Sequence, residues 1–190
     1  MTRFQELPGT SQDVQEWTWE QYQPFTDELL ARELSAATLD GWLRDWTRLY
    51  ELIQEVYTRL YVAVTVDTSD EAAEARFNNF IDTVMPASQI ANDALNRKLI
   101  ASQLEPDNFA VPLRNIRAEV EIFREDNVDL QTREEKLSNE YDRIIGAQTV
   151  QWDGDERTIA QMRPLQQSAD RPLRERAWRL VRLSHISAAD

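Results

Sequence analysis

Between residues 39 and 63 the apolar side chains fall at alternating spacings of three and four: Leu39, Trp42, Trp46, Leu49, Ile53, Val56, Leu60 and Ala63. A second row, Leu43, Tyr50, Tyr57 and Val64, lies beside the first. Such a stripe is too wide for a two-stranded seam and predicts a long helix packed against several neighbours. Thr68-Ser-Asp-Glu71 has the form of a capping box, in which a hydroxyl and a carboxylate satisfy the free amides of a new helix turn. That helix is predicted to run on through Phe77, Phe80, Ile81 and Val84 to Ala91, Leu95 and Leu99, with a kink or break near Pro86, whose ring clashes with the preceding turn.

After the Glu105-Pro-Asp-Asn108 turn, Leu113, Ile116, Val120 and Phe123 mark another helix, with Pro112 in its first turn and an end expected near Asn127. Thr132-Arg-Glu-Glu135 repeats the capping-box form, and Leu137, Tyr141, Ile144 and Ile145 then share one face up to Gly146, a natural terminator. The pattern changes at 149–158, where Val150 and Trp152 alternate with polar residues before Asp153-Gly154. This predicts two short strands joined by a tight turn. Asp170 is expected to cap a final helix carrying Leu173, Ala177, Leu180 and Val181 on one arc, with Trp178, Leu183 and Ile186 on other sides. A helix that is apolar on several sides expects partners on several sides. The fold class that follows is all-α: a multi-helix bundle with long antiparallel helices and one small β-hairpin near 149–158. The expected division is a helical region 1–146 and a segment 147–190 holding the hairpin and the arginine-bearing helix. Only 4 of 190 residues are glycine, well below the usual ~7%, which favours long helices over many turned strands.

Charge and composition remove several function classes. The net charge of −13 rests on 34 acidic against 21 basic residues, and the apolar fraction of 42% is too high for a disordered acidic tail. Five arginines against three carboxylates give residues 170–190 a charge of +2 and leave the preceding 169 at −15. A nucleic-acid helix is disfavoured, because phosphate is repelled by so acidic a body. No apolar run approaches the ~20 residues of a membrane span, and the first dozen residues carry no basic-then-apolar signal pattern. With no cysteine, disulfides and thiolate metal sites are excluded, which fits a reducing compartment.

Candidate chemistry is sparse. His185 is the only histidine, so neither a set of two or three imidazole ligands nor a Ser-His-Asp arrangement has a start, and a surface or packing role is the better reading. No Gly-x-Gly-x-x-Gly and no Gly-Lys-Ser/Thr phosphate loop is present. The pairs Glu134/Glu135 and Asp67/Asp70 sit among polar neighbours, where solvated helix ends are expected rather than an acid catalyst in an apolar cleft. Asp153-Gly-Asp155 is far shorter than a twelve-residue calcium loop and reads as a turn. The aromatics Trp17, Trp19, Tyr22 and Phe25 read as a staple of the chain's start onto the core rather than a ligand platform.

Several joined motifs carry a family resemblance. The runs Phe123-Arg-Glu-Asp-Asn-Val-Asp-Leu130, Lys136-Leu-Ser-Asn-Glu-Tyr141, Gly146-Ala-Gln-Thr-Val150, Trp152-Asp-Gly-Asp-Glu-Arg-Thr158 and Asp170-Arg-Pro-Leu-Arg-Glu-Arg-Ala-Trp178 resemble the N-terminal portion of oligoendopeptidase F and other thimet-type zinc metallopeptidases. The Trp19–Phe25 segment, the Trp42–Tyr61 helix and Asn96-Arg-Lys-Leu99 are similar to the family's first helices. One departure is Asp129, where relatives commonly place proline. The resemblance implies a cytoplasmic peptidase of short unstructured peptides, in which N-terminal helices form one wall or gate of a closed channel. Its chemistry rests on a His-Glu-x-x-His zinc helix, which these 190 residues lack. No catalytic, metal-ligating or cofactor-binding residue is therefore carried over, and zinc is implied only for a longer parent chain. On this reading the sequence is the leading third of a larger enzyme, inert alone, with a catalytic domain as its partner. The alternatives are a self-sufficient acidic helical protein that binds a partner, and a small hydrolase working through carboxylates.

Overall fold

A computed structural model describes residues 3–187, with side chains through 183, so the side chains of His185 and Ile186 lie outside the described residues. The main elements are α1 (Trp19–Ala31), α2 (Leu39–Val66), α3 (Glu71–Thr83), α4 (Met85–Ser102), α5 (Ala110–Ile122), α6 (Val128–Gly146), β1 (Thr149–Trp152), β2 (Asp155–Thr158), α7 (Ile159–Gln166) and α8 (Arg171–Ser187). The architecture is the expected helical bundle with one antiparallel hairpin.

The wide stripe of α2 is the centre of the main core. Leu39, Trp42, Leu49, Leu52, Ile53, Val56, Leu60 and Val64 are buried, and the second row, Leu43, Tyr50 and Tyr57, packs half-buried at its edge. Along its length this face meets α1 through Trp42, α4 through Tyr50 and α3 through Tyr57, so a single helix serves several neighbours. Ahead of α1, Trp17 stacks on Phe25 at 6.0 Å and meets Tyr22 edge-on at 5.1 Å, while the Tyr22 hydroxyl donates to the Val14 carbonyl at 3.0 Å. These aromatics are core, not a platform for a ligand.

The C-terminal end of α1 ties three helices together. Its last carbonyls have no partner within the helix. The Trp42 indole of α2 donates to the Leu29 carbonyl at 2.9 Å, and the Lys98 ammonium of α4 donates to the Leu30 carbonyl at 2.8 Å. The lysine also places a positive charge at the negative end of the helix dipole.

Two helix starts differ from expectation. The cap of α3 is Asp70, whose carboxylate accepts from the Ala72 and Ala73 amides at 3.0 and 2.9 Å, while Asp67 closes the turn by accepting from the Ser69 amide and hydroxyl. Thr68 is used differently: a Cβ at Gly146 would stand 3.0 Å from its methyl carbon. Gly146 thus ends α6 by allowing this close approach, without the positive φ of a glycine cap. Gly146→Ala should be better tolerated, by about 1 kcal/mol, in a Thr68→Ala background than alone. Denaturation midpoints of the four proteins give this coupling, and additive effects would contradict the contact.

The second difference is α6, which begins at Val128 and not at Thr132. The Thr132 hydroxyl donates back to the Val128 carbonyl at 3.1 Å, a mid-helix bond rather than a cap. Correspondingly, α5 stops at Ile122, short of Asn127, because Phe123 turns extended and the Arg124 guanidinium takes the terminal carbonyls of Glu121 and Phe123. The break near Pro86 falls at Val84, leaving Pro86 in the first turn of α4, where no amide donor is needed.

A second core lies beyond α6. Val150 and Trp152 on one face of the hairpin bury against Met162 of α7 and Ala177 and Val181 of α8. Thr149 pairs with Thr158 and Trp152 with Asp155, and the turn places Asp153 and Gly154 at φ of 53° and 93°, the left-handed pair a two-residue hairpin requires. α7, which the periodicity did not reveal, starts on a reciprocal cap between Thr158 and Gln161.

Candidate functional site

The helix α6 is docked with its polar side inward. Among its nineteen residues only Val128 is buried. Toward the bundle, the Tyr57 hydroxyl of α2 donates to the Glu135 carboxylate at 2.6 Å, Lys136 pairs with Asp82 at 2.6 Å, and Arg143 stands 3.8 Å from Glu74. On the other side, Leu130, Leu137, Tyr141 and Ile144 are 57, 66, 62 and 46% exposed. Their spacings of seven, four and three confine them to an arc of about 60° on a helix that turns 100° per residue. Of the apolar face read from the sequence, Leu137, Tyr141 and Ile144 point away from the core while Ile145 is half-buried; Leu130 joins the outward stripe, which Arg133, Lys136, Glu134 and Asp142 border. The reason is visible across the helix: the body-facing positions Gln131, Thr132, Glu135 and Ser138 line a cleft of about 380 Å³ with Tyr57, Met85 and Gln89. A neighbouring cleft of about 420 Å³ is lined by the carboxamides of Gln89, Asn92, Asn96, Asn127 and Gln131.

The carboxylates singled out from sequence carry structural duties. Glu135 is mid-helix and takes the Tyr57 proton donor; burial, and then the Glu135 charge, raise the Tyr57 phenol above its ordinary value. Asp67 and Asp70 build the α2–α3 turn. The Ser69 hydroxyl holds Asp67 below the usual carboxylate range, and the Arg59 guanidinium does the same for Glu55. Both shifts oppose what an acid catalyst needs. Asp153 is paired with Arg176 at 2.7 Å, and the same guanidinium lies 4.3 Å over the Trp152 ring.

Among the described residues no group of three His, Cys, Asp or Glu side chains converges as a metal site would require. No helix among them is long and apolar enough to cross a membrane. Of the arginines on α8, Arg174 bonds the Ser168 carbonyl, Arg179 bonds Glu175 at 2.7 Å, and Arg182 lies 5.5 Å over the Trp178 ring. They are engaged within their own segment, whereas Trp178 and Leu183 remain 51 and 61% exposed. Sequence reasoning missed the Tyr57–Glu135 contact, since a bond across 78 positions leaves no local trace.

Comparison with known proteins agrees with this architecture. A solved structure assigned to an oligoendopeptidase F superposes with a TM-score of 0.75 at 22% identity, covering 98% of this chain and 33% of that one. The chain thus spans about a third of the length of the protein it matches, and at that identity the likeness shows the fold. No curated protein matches the sequence. The family described as Peptidase M3 N-terminal domain matches residues 10–123, from before α1 to the end of α5. With well over half of its length covered, the chain belongs to the peptidase M3 N-terminal domain family.

Proposed function

We propose that this chain is the N-terminal, non-catalytic part of an oligoendopeptidase F-like zinc metallopeptidase that cleaves short unstructured peptides in the cytoplasm. It forms a wall or gate of the substrate channel, with region 1–146 as the wall and 147–190 leading into the catalytic domain. The observation that carries this reading is the joint coverage: the family match over 10–123 and a fold match that continues through α8 to a chain three times as long. Physically, a channel between two lobes closes around a peptide, excludes water and aligns the scissile amide. This half supplies shape and carries no His-Glu-x-x-His.

The test joins sequence and activity. The reading frame past Asp190 is expected to continue and to encode His-Glu-x-x-His. The longer polypeptide should cleave a quenched fluorescent peptide in a chelator-sensitive reaction, while the 190-residue chain with added zinc shows no turnover. Turnover by the short chain, or a stop codon after Asp190, overturns the proposal. The second of these outcomes leaves the self-sufficient partner-binding protein, which the exposed face of α6 also favours.

A further inference from the structure

The outward stripe of α6 has no structural use within these residues. A helix in a folded protein draws most of its stability from a packed apolar face. Here the helix contributes one buried valine, the half-buried Ile145 and three polar contacts, of which Lys136–Asp82 and Arg143–Glu74 are exposed ion pairs of small worth. Leu130, Leu137, Tyr141 and Ile144 together present on the order of 500 Å², within the range of functional patches on single chains. That is below the roughly 800 Å² per partner of a standing protein–protein interface, which argues against a second copy as occupant. A tethered partner is different, since one polypeptide supplies an effective concentration in the millimolar range and a small interface suffices. The solved chain that this one matches is about three times as long. Between the two cores, α6 is the element that joins them, and α8, on the path to the C-terminus, again leaves Trp178 and Leu183 outward.

We infer that the Leu130–Leu137–Tyr141–Ile144 face of α6 is the seat on which the part of the same polypeptide that follows Asp190 docks, through an apolar surface of its own. The inference rests on the proposed function in requiring that continuation. Its test is independent of activity: in these 190 residues, which hold no cysteine, an introduced thiol is the single reporter, and in the longer polypeptide the reaction is read on the peptide fragment that carries position 137 or 141. Leu137→Cys and Tyr141→Cys, each in the 190-residue chain and in the longer polypeptide, are reacted with a thiol reagent. In the longer polypeptide both thiols should react at least tenfold more slowly than in the short chain. Equal rates overturn the inference, and so does slow reaction in the short chain that deepens with protein concentration, which would assign the face to self-association. As a second readout, Leu137→Glu/Tyr141→Glu should lower the melting temperature of the longer polypeptide and leave that of the short chain within a degree or two. An unchanged longer polypeptide rejects the seat. Peptidase activity with freely reactive thiols would retain the proposed function and remove the docking face; protected thiols in an inactive polypeptide would do the reverse.

Discussion

Replacing Trp42 by alanine is expected to destabilise the chain by about 4 kcal/mol, the cost of deleting a fully buried large aromatic. Two effects combine. The indole ring leaves a cavity at the meeting of α1, α2 and α4, where it lies 4.9 Å from the Trp46 ring, itself bonded to Asn92 of α4. The Leu29 carbonyl also loses its donor in a site closed to water. Trp42→Phe shrinks the first effect, because it keeps an aromatic ring and most of the volume while removing the N–H; about 1–2 kcal/mol is expected. Total stability in domains of this size is about 5–15 kcal/mol, so the alanine variant should be partly unfolded at moderate temperature. Urea midpoints with an unchanged m-value measure both losses. An alanine variant within 1 kcal/mol of the parent would mean that the three helices are not held at this point.

The same residue shows why the bundle was legible. The row that contains Trp42 and the row beside it form one wide face of α2 because the helix repeats at 3.6 residues, and the stripe width alone called for several neighbours. The hairpin followed from Asp153-Gly154, where few residues accept positive φ. Helix starts were harder to place. Thr68 and Thr132 fit a capping pattern that Asp70 and the Val128 turn satisfy instead, since several oxygen-bearing side chains competed for the same free amides. The α6 face exposes the deeper limit. Periodicity identifies Leu137, Tyr141, Ile144 and Ile145 as one face but carries no information on what packs against it, and here the bundle takes the opposite side through Glu135 and leaves all but the half-buried Ile145 exposed. Family membership was legible because joined motifs persist along the chain.

Alkaline pH should unfold this chain steeply, and the cause is two tyrosines, Tyr22 on α1 and Tyr50 on α2. The Tyr22 hydroxyl donates to the Val14 carbonyl and the Tyr50 hydroxyl to the Ser88 carbonyl, each at 3.0 Å. Burial raises both phenols well above their ordinary value near 10, because a phenolate there would lose water and face a carbonyl oxygen. In the unfolded chain both protons leave near pH 10, whereas the folded chain retains them. The folded state therefore binds more protons above pH 10, and stability falls as pH rises. Each tyrosine contributes its full stabilisation below pH 10 and loses about 1.4 kcal/mol per pH unit above it, so the pair should cost roughly 3 kcal/mol per unit until the folded values are reached. Tyr57, raised in the same direction but less enclosed, adds a smaller slope. Urea midpoints at pH 9, 10 and 11 should be level at first and then drop. Tyr22→Phe loses about 1 kcal/mol at neutral pH with its hydrogen bond, yet its alkaline slope should be roughly half that of the parent. Equal slopes in the parent and in Tyr22→Phe/Tyr50→Phe would place the alkaline transition in groups other than these two phenols.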